Sequence, residues 1–444
     1  MSTSALVIEP LRTTPPLLAL VGVFISIVLF LLMLRSTGAN IWLKFLSLAI
    51  FLRYFVSEFP STTHSNIGGF SIISLVSLAT IFFGLLLVIW HNSKNLVLKP
   101  FACIYVVIFA MLFSGALNNY LINSLEASLR WVYLLVICIV STQALKNSTN
   151  KQFLDALTLA IFCPICFQLL SIFLGYSKSG EADGSASWIG GYNHESGFSL
   201  IALTLIFVAA LRVVCRLRFG WSLILIGVIS LLASNYRTTM IAGIPVIFTV
   251  FIAYGDLKLK GQDKLLLPGL AVAGIAVLIA LASQFQDRFS DLGKTVELFP
   301  KLIAPPDAYT REAQQLLSAR FYIWSKYLTA FFEGGFAQQF VGFGPDSWKQ
   351  TFPKYAHNTF VSALYEIGYI GCTLIIWALW SLARLSLHGT SKPLRSVLLA
   401  AHLGFFIVNF ATMPLWNIEG IIYYGILVGF TYYSKIAPRP EKYS

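Results

Sequence analysis

Charge is what this chain has least of. Only 11% of its 444 residues are Asp, Glu, Lys or Arg, 57% are hydrophobic, and the mean hydropathy is +0.76. A soluble domain carries about a quarter charged residues, so a water-soluble globular fold is excluded. Two motifs are also lacking: a phosphate-cradling Gly-Lys-Ser/Thr loop and a spaced set of metal ligands, Asp287 and Asp291 being the nearest approach to one. A metal-independent reaction with no cofactor is therefore expected. The six cysteines (Cys103, Cys138, Cys163, Cys166, Cys215, Cys372) lie in or beside apolar runs, where they read as small buried hydrophobes rather than disulfide partners. Cys163-Pro-Ile-Cys166 has redox spacing but no soluble α/β context to support it.

What the chain does have is long apolar runs. Spans are expected at roughly 16–34, 41–57, 70–90, 101–116, 127–145, 153–174, 196–211, 220–234, 238–254, 265–283, 358–383, 396–412 and 418–434. The fold class is an all-α polytopic integral membrane protein with about 12–14 transmembrane helices. Its parts would be an N-terminal bundle (1–283), one long loop (284–356), and C-terminal helices with a short tail (357–444). Only Arg12 precedes the first run and no cleavage pattern follows it, so that run is read as a retained span. The run at 41–57 is the least typical, because it contains Lys44 and Arg53.

The net charge of +12 could suggest nucleic acid, but the basic residues are spread through short gaps between apolar runs. Lys94 and Lys99, Lys146 and Lys151, the arginines of 212–218, the lysines of 258–264 and the 384–395 gap all fall on one side when spans alternate. Positive residues collect on the cytoplasmic side, so lipid is the expected partner and nucleic acid is not. The long loop then faces outward. It is nearly balanced, with eight Lys/Arg against seven Asp/Glu. Thr310–Phe332 has helical spacing, with Leu316, Phe321, Trp324, Leu328 and Phe331 as its apolar positions. A partly helical lid on the outer membrane face is expected, broken by Gly342, Gly344 and Pro345.

The stretch with most chemical promise is AHNTFVSALYEIGYIG, residues 356–371, where the loop meets the next span. If Thr359 opens a helix, Asn358 is its N-cap and His357 stands just outside the positive end. That end disfavours imidazolium, leaving His357 neutral and able to accept a proton. Gly368 and Gly371 lie about 20° and 40° from the line of His357 on an unbroken helix, as small residues for close helix packing. Glu366 falls on the opposite side and ~13 Å inward, so it does not orient the histidine.

Outward cations are informative because topology does not demand them. Arg237 in SNYRTTM lies between two spans, Arg320 begins RFYIW in the loop, and Arg130 begins a span. Their forked donors suit a diphosphate, and snorkelling to lipid headgroups is the alternative. In Tyr192-Asn193-His194-Glu195-Ser196-Gly197, His194 and Glu195 could bind acceptor hydroxyls or simply cap a helix.

His357-Asn358, nine residues, Gly368, two residues, Gly371 resembles the signature of the bacterial O-antigen ligases, within the O-antigen ligase/polymerase superfamily. SNYRTTM and RFYIW resemble that family's arginine-bearing turn and loop arginine. The resemblance implies a glycosyltransferase C-like membrane enzyme at the periplasmic face of the inner membrane. Its donor would be a glycan on undecaprenyl diphosphate, with His357 as general base and Arg237 and Arg320 on the diphosphate. The acceptor would be lipid A–core oligosaccharide for a ligase, or a second lipid-linked glycan for a polymerase. The glycine spacing favours the ligase, and GYNHESG resembles a motif of some polymerases. A lipid-linked sugar transporter is the reading from another class, though no internal repeat supports it.

Overall fold

The computed structural model describes residues 11–179, 186–258, 269, 304–311, 314 and 319–437. Twelve helices of the described residues correspond to expected spans: α1 (Pro16–Ser36), α2 (Ile41–Ser57), α3 (Ile72–Asn92), α4 (Ala102–Leu117), α5 (Leu121–Lys146), α6 (Asn150–Phe173), α7 (Glu195–Val214), α8 (Gly220–Ser234), α9 (Arg237–Lys258), α12 (Thr359–Arg384), α13 (Lys392–Val408) and α14 (Ile418–Ile436). The thirteenth, 265–283, lies outside the described residues. Among the described residues, eight apolar segments are long enough to cross a membrane by length and composition. The chain is an all-α, multi-pass membrane protein. Two small hairpins, β1 (Asn66–Ile67) with β2 (Phe70–Ser71) and β3 (Lys178–Ser179) with β4 (Ala186–Ser187), sit in its connections.

The packing follows from which helices can afford to be apolar all round. α7 is buried along nearly its whole length and packs against α6, α8, α9 and α14. α1 and α3 bury only a thin strip and leave large residues such as Leu20 and Phe82 exposed, as a lipid-facing helix does. Polar contacts between connections separate the two ends of the bundle. At one end Asn40 donates to Ala144, Gln143 to Asn95, and Arg212 pairs with Asp155. At the other, the Arg12 amide donates to the Asn193 side chain, the Gly191 amide to the Glu58 carboxylate, and the Thr359 amide to the Asn409 carbonyl. The first set includes the basic gaps, and the second includes the start of α1 and His357. Residue 12 therefore lies at the His357 end, a point the span count alone left open.

Between α9 and α12 the loop supplies α10 (Arg320–Glu333) and the short α11 (Phe336–Val341). The helical spacing read over 310–332 is realised from Arg320 onward, and Leu316 lies outside the described residues. Phe321 and Phe331 are buried as that spacing implies, together with Tyr327. A separate small core joins Tyr327 and Phe331 to Ala356 and Tyr365, so α10 is packed on the outer part of α12 rather than floating above it.

Candidate active site

Asn358 starts α12 as its N-cap. Its side-chain oxygen accepts from the amides of Phe360 (2.9 Å) and Val361 (3.1 Å), two donors a helix start leaves without partners. Its amide nitrogen donates to the Phe410 carbonyl at 2.9 Å, fastening the cap to the turn after α13. Asn358 is thus occupied in fixing the helix start.

His357 precedes this cap with φ of 51°, in the left-handed region. Histidine visits that region more readily than most residues, at a cost of about 1 kcal/mol or more, so the surroundings must impose it. They do so through α10: the Trp324 indole donates to the Ala356 carbonyl at 2.7 Å, and the Tyr327 hydroxyl to the Lys354 carbonyl at 3.0 Å. The His357 ring lies against Tyr355, with centroids 3.8 Å apart. Burial first, then the charges of Arg320, Lys354 and His194, push its pKa down to about 3. His357 is held neutral well below physiological pH.

Those causes also identify the neighbours of His357. Arg320 opens α10 and is held by the turn before α9, donating to the Tyr236 hydroxyl at 3.2 Å and the Thr238 hydroxyl at 3.4 Å. Tyr236 in turn donates to the Ala411 carbonyl at 3.3 Å. Arg237 lies between these two anchors, half-buried at the first position of α9. The structure therefore gathers His357, Asn358, Arg320, His194 and the Arg237 turn at one end of the bundle.

Glu195 and Arg130 are engaged elsewhere. Glu195 pairs with Lys178 at 3.1 Å and accepts from Ser187 at 3.0 Å, tying the start of α7 to the hairpin β3–β4. Arg130 pairs with Glu126 at 3.3 Å on its own helix and is not among the charges acting on His357. The rest of GYNHESG is pinned through Gly191 to Glu58 and through Asn193 to Arg12 and Lys178, leaving the exposed His194 between fixed neighbours.

The glycines do something other than close helix packing. Gly368 has φ 68° and ψ −171°, so α12 is broken there and its period does not run on from His357. A Cβ on Gly368 would stand 2.3 Å from the Phe340 carbonyl oxygen. The opened turn receives the loop instead: the Phe343 amide donates to the Tyr365 carbonyl and the Gly344 amide to the Glu366 carbonyl, both at 2.9 Å. Buried Glu366 accepts from the Asp346 amide at 2.7 Å and from the Ser362 hydroxyl. On Gly371 the three atoms nearest an added Cβ all belong to the Ile367 side chain.

One charged pair escaped the sequence reading. Arg53 of α2 and Glu419 of α14 form an ion pair at 3.0 Å, with side chains 9% and 8% exposed. It sits beside Gly197 of α7 and acts on His64, as does His194. Its visible signal was a charge inside each of two apolar runs, Arg53 in 41–57 and Glu419 in 418–434, because such charges require partners.

Residues 222–376 match a protein-family model described as O-antigen ligase. That stretch contains Arg237, Arg320, His357, Asn358, Gly368 and Gly371, and not Arg130, His194 or Glu195. Compared with curated proteins, the chain has no match.

Proposed function

We propose, from the match of residues 222–376 to the O-antigen ligase family model, that this chain is a member of the O-antigen ligase/polymerase superfamily and an O-antigen ligase. It transfers a glycan from undecaprenyl diphosphate to a hydroxyl of lipid A–core oligosaccharide, at the periplasmic face of the inner membrane. The observation that carries the reading is a half-buried, neutral His357 in the field of Arg320, at the end of the bundle opposite the basic gaps.

The roles follow from charge. His357 takes the proton of the acceptor hydroxyl as its oxygen forms a bond to the anomeric carbon. The bond from that carbon to the diphosphate breaks, and negative charge grows on the leaving group. Arg320 and Arg237 meet that charge with forked donors that stay protonated. No nucleotide enters, because the sugar–diphosphate bond is already activated, and the arginines take the part that a metal ion plays elsewhere. Asn358 positions the base through the cap.

A base with a pKa near 3 is weak, and donor binding offsets part of the shift. A bound diphosphate offsets the positive charge of Arg320 and Lys354, two of the three charges that depress His357. The histidine gains basicity on donor binding by the share that these two charges withhold, burial being the larger cause. A positioned base contributes ~10²–10⁴-fold, and one aimed donor ~3–4 kcal/mol, so the two together account for a substantial acceleration.

Purified protein given a lipid-linked glycan and lipid A–core should yield the joined product. The polymerase reading draws support from the pinned GYNHESG segment, whose His194 acts on His357. Deletion in cells separates the two: a ligase leaves long glycan on its carrier lipid, a polymerase leaves single repeats.

A further inference from the structure

Between α10 and Asp346 the sequence Gly334–Pro345, GGFAQQFVGFGP, carries no charged residue, although it belongs to a loop that is otherwise rich in both signs. Phe336 and Phe340 turn outward from the protein, while Phe343 stacks inward on Tyr365. Phe336 is 79% exposed and Phe340 41%, and Phe332 one turn earlier is 51% exposed. Phe336 and Phe340 lie with ring centroids 4.5 Å apart, and Phe340 approaches Tyr369 of α12 at 6.2 Å. Large aromatic faces left open to water on a surface loop are costly and call for an occupant.

Two further observations identify that occupant. α11 packs against both α4 and α12. Those helices expose Phe109, Phe113 and Leu117, and Tyr369 and Ile370, so the stripe adjoins helices that turn apolar side chains outward, and Phe340 reaches Tyr369 directly. The hydrocarbon core spans about 20 helical residues. Counted back from Arg384, it reaches about residue 364, which puts Gly368 and the docked end of α11 inside it.

The backbone agrees. Irregular chain at membrane depth is tolerated only where protein satisfies its polar groups. Here Gly342 donates to Gln338, Phe343 and Gly344 donate to the carbonyls that the break at Gly368 frees, and Asn118 donates to the Gly342 carbonyl at 3.1 Å. Gln339 donates to the Phe332 and Gly334 carbonyls at 3.1 and 3.2 Å, covering the entry into the segment. A loop lying in water could leave such groups to solvent, so this pattern is the one a dry environment selects.

We propose that residues 334–345 form a re-entrant segment, seated in the leaflet at the His357 end, with Phe332, Phe336 and Phe340 facing acyl chains. The break in α12 is then the socket that receives it. The seat sets the depth of α10, and with it of Arg320, relative to the membrane surface. This holds whichever reaction the site performs.

The test is photocrosslinking of the full chain in phospholipid vesicles, with Phe336→p-benzoyl-phenylalanine and the same residue at Pro353, an exposed loop position, as reference. We expect a protein–phospholipid adduct at 336, several-fold above that at 353. Equal adduct yield at the two sites, or a covalent dimer of the protein at 336, overturns the proposal. Should the bulky residue disturb folding, Phe336→Cys and Pro353→Cys provide the same comparison with a membrane-impermeant maleimide. Protection at 336 relative to 353 supports the seat, and equal labelling contradicts it.

Discussion

Replacing Gly368 by alanine should be among the most damaging single-methyl changes in the chain. The residue has φ 68° and ψ −171°, a region essentially reserved for glycine, where another residue costs about 1–3 kcal/mol. The added Cβ would stand 2.3 Å from the Phe340 carbonyl oxygen and 2.6 Å from the Gly342 nitrogen, both backbone atoms that cannot rotate away. Overpacking of that kind adds about 1–3 kcal/mol, for a total of roughly 2–6 kcal/mol. Gly371→Ala is the intermediate comparison: its Cβ would meet the Ile367 side chain at 2.4–2.5 Å, including a Cβ that no rotamer change moves, but Gly371 has no positive φ to add strain. Gly197→Ala is the benign end of the series: its nearest neighbour is Glu419 at 3.8 Å, and alanine in a helix gains up to about 1 kcal/mol over glycine. Thermal unfolding in detergent should therefore rank Gly368→Ala lowest, Gly371→Ala intermediate and Gly197→Ala at or above the parent. A Gly368→Ala midpoint equal to that of Gly371→Ala would show that the break in α12 is not a built feature.

Other expectations are as direct. The low pKa of free His357 means that kcat/KM for donor should show no acid limb near pH 6.5, whereas the limb in kcat, which reports the donor complex, should lie at higher pH; coincident limbs would remove the coupling between donor charge and base. Folding favours neutral His357, so this group costs stability as pH falls below about 6.5 toward 3, and His357→Gln should gain on the parent at pH 5 relative to pH 7.5 in urea unfolding. Arg320→Lys should lower donor turnover although it keeps the charge, because a point charge cannot reproduce the guanidinium fork; full activity would rule out the diphosphate role. Glu419→Gln strands buried Arg53 and should cost about 3–5 kcal/mol, most of it returned by the double change Arg53→Met with Glu419→Leu; stability equal to the parent would contradict a structural pair.

Helix number and the cap were legible because both rest on local chemistry. Apolar runs located twelve helices, eight described segments being long and apolar enough to cross a membrane, and an asparagine before a helical run has only a few ways to satisfy the amides beyond it. The helix break was not legible. Angles projected from His357 assume an unbroken period, and Gly368 interrupts it with a conformation that only the arriving loop explains. The neutral state of His357 was expected from the helix end, but burial and three nearby charges come first among its causes, and these depend on how α10 docks. Arg53 and Glu419 were visible as oddities in apolar runs, while their pairing across more than 350 residues of chain is a tertiary fact. The candidate arginines divided for the same reason. Arg130 found Glu126 four residues before it, an i,i+4 pairing visible in the sequence, whereas Arg320 found the Tyr236–Thr238 turn at a chain separation of 82–84 residues, which is a tertiary fact.

The most direct test of the central claim is single-turnover transfer by purified protein with His357→Ala, given lipid-linked glycan and lipid A–core acceptor. The account predicts that the variant still binds the donor but forms no joined product above ~10⁻² of the parent rate, the least a lost general base removes. Product formed at the parent rate would contradict it.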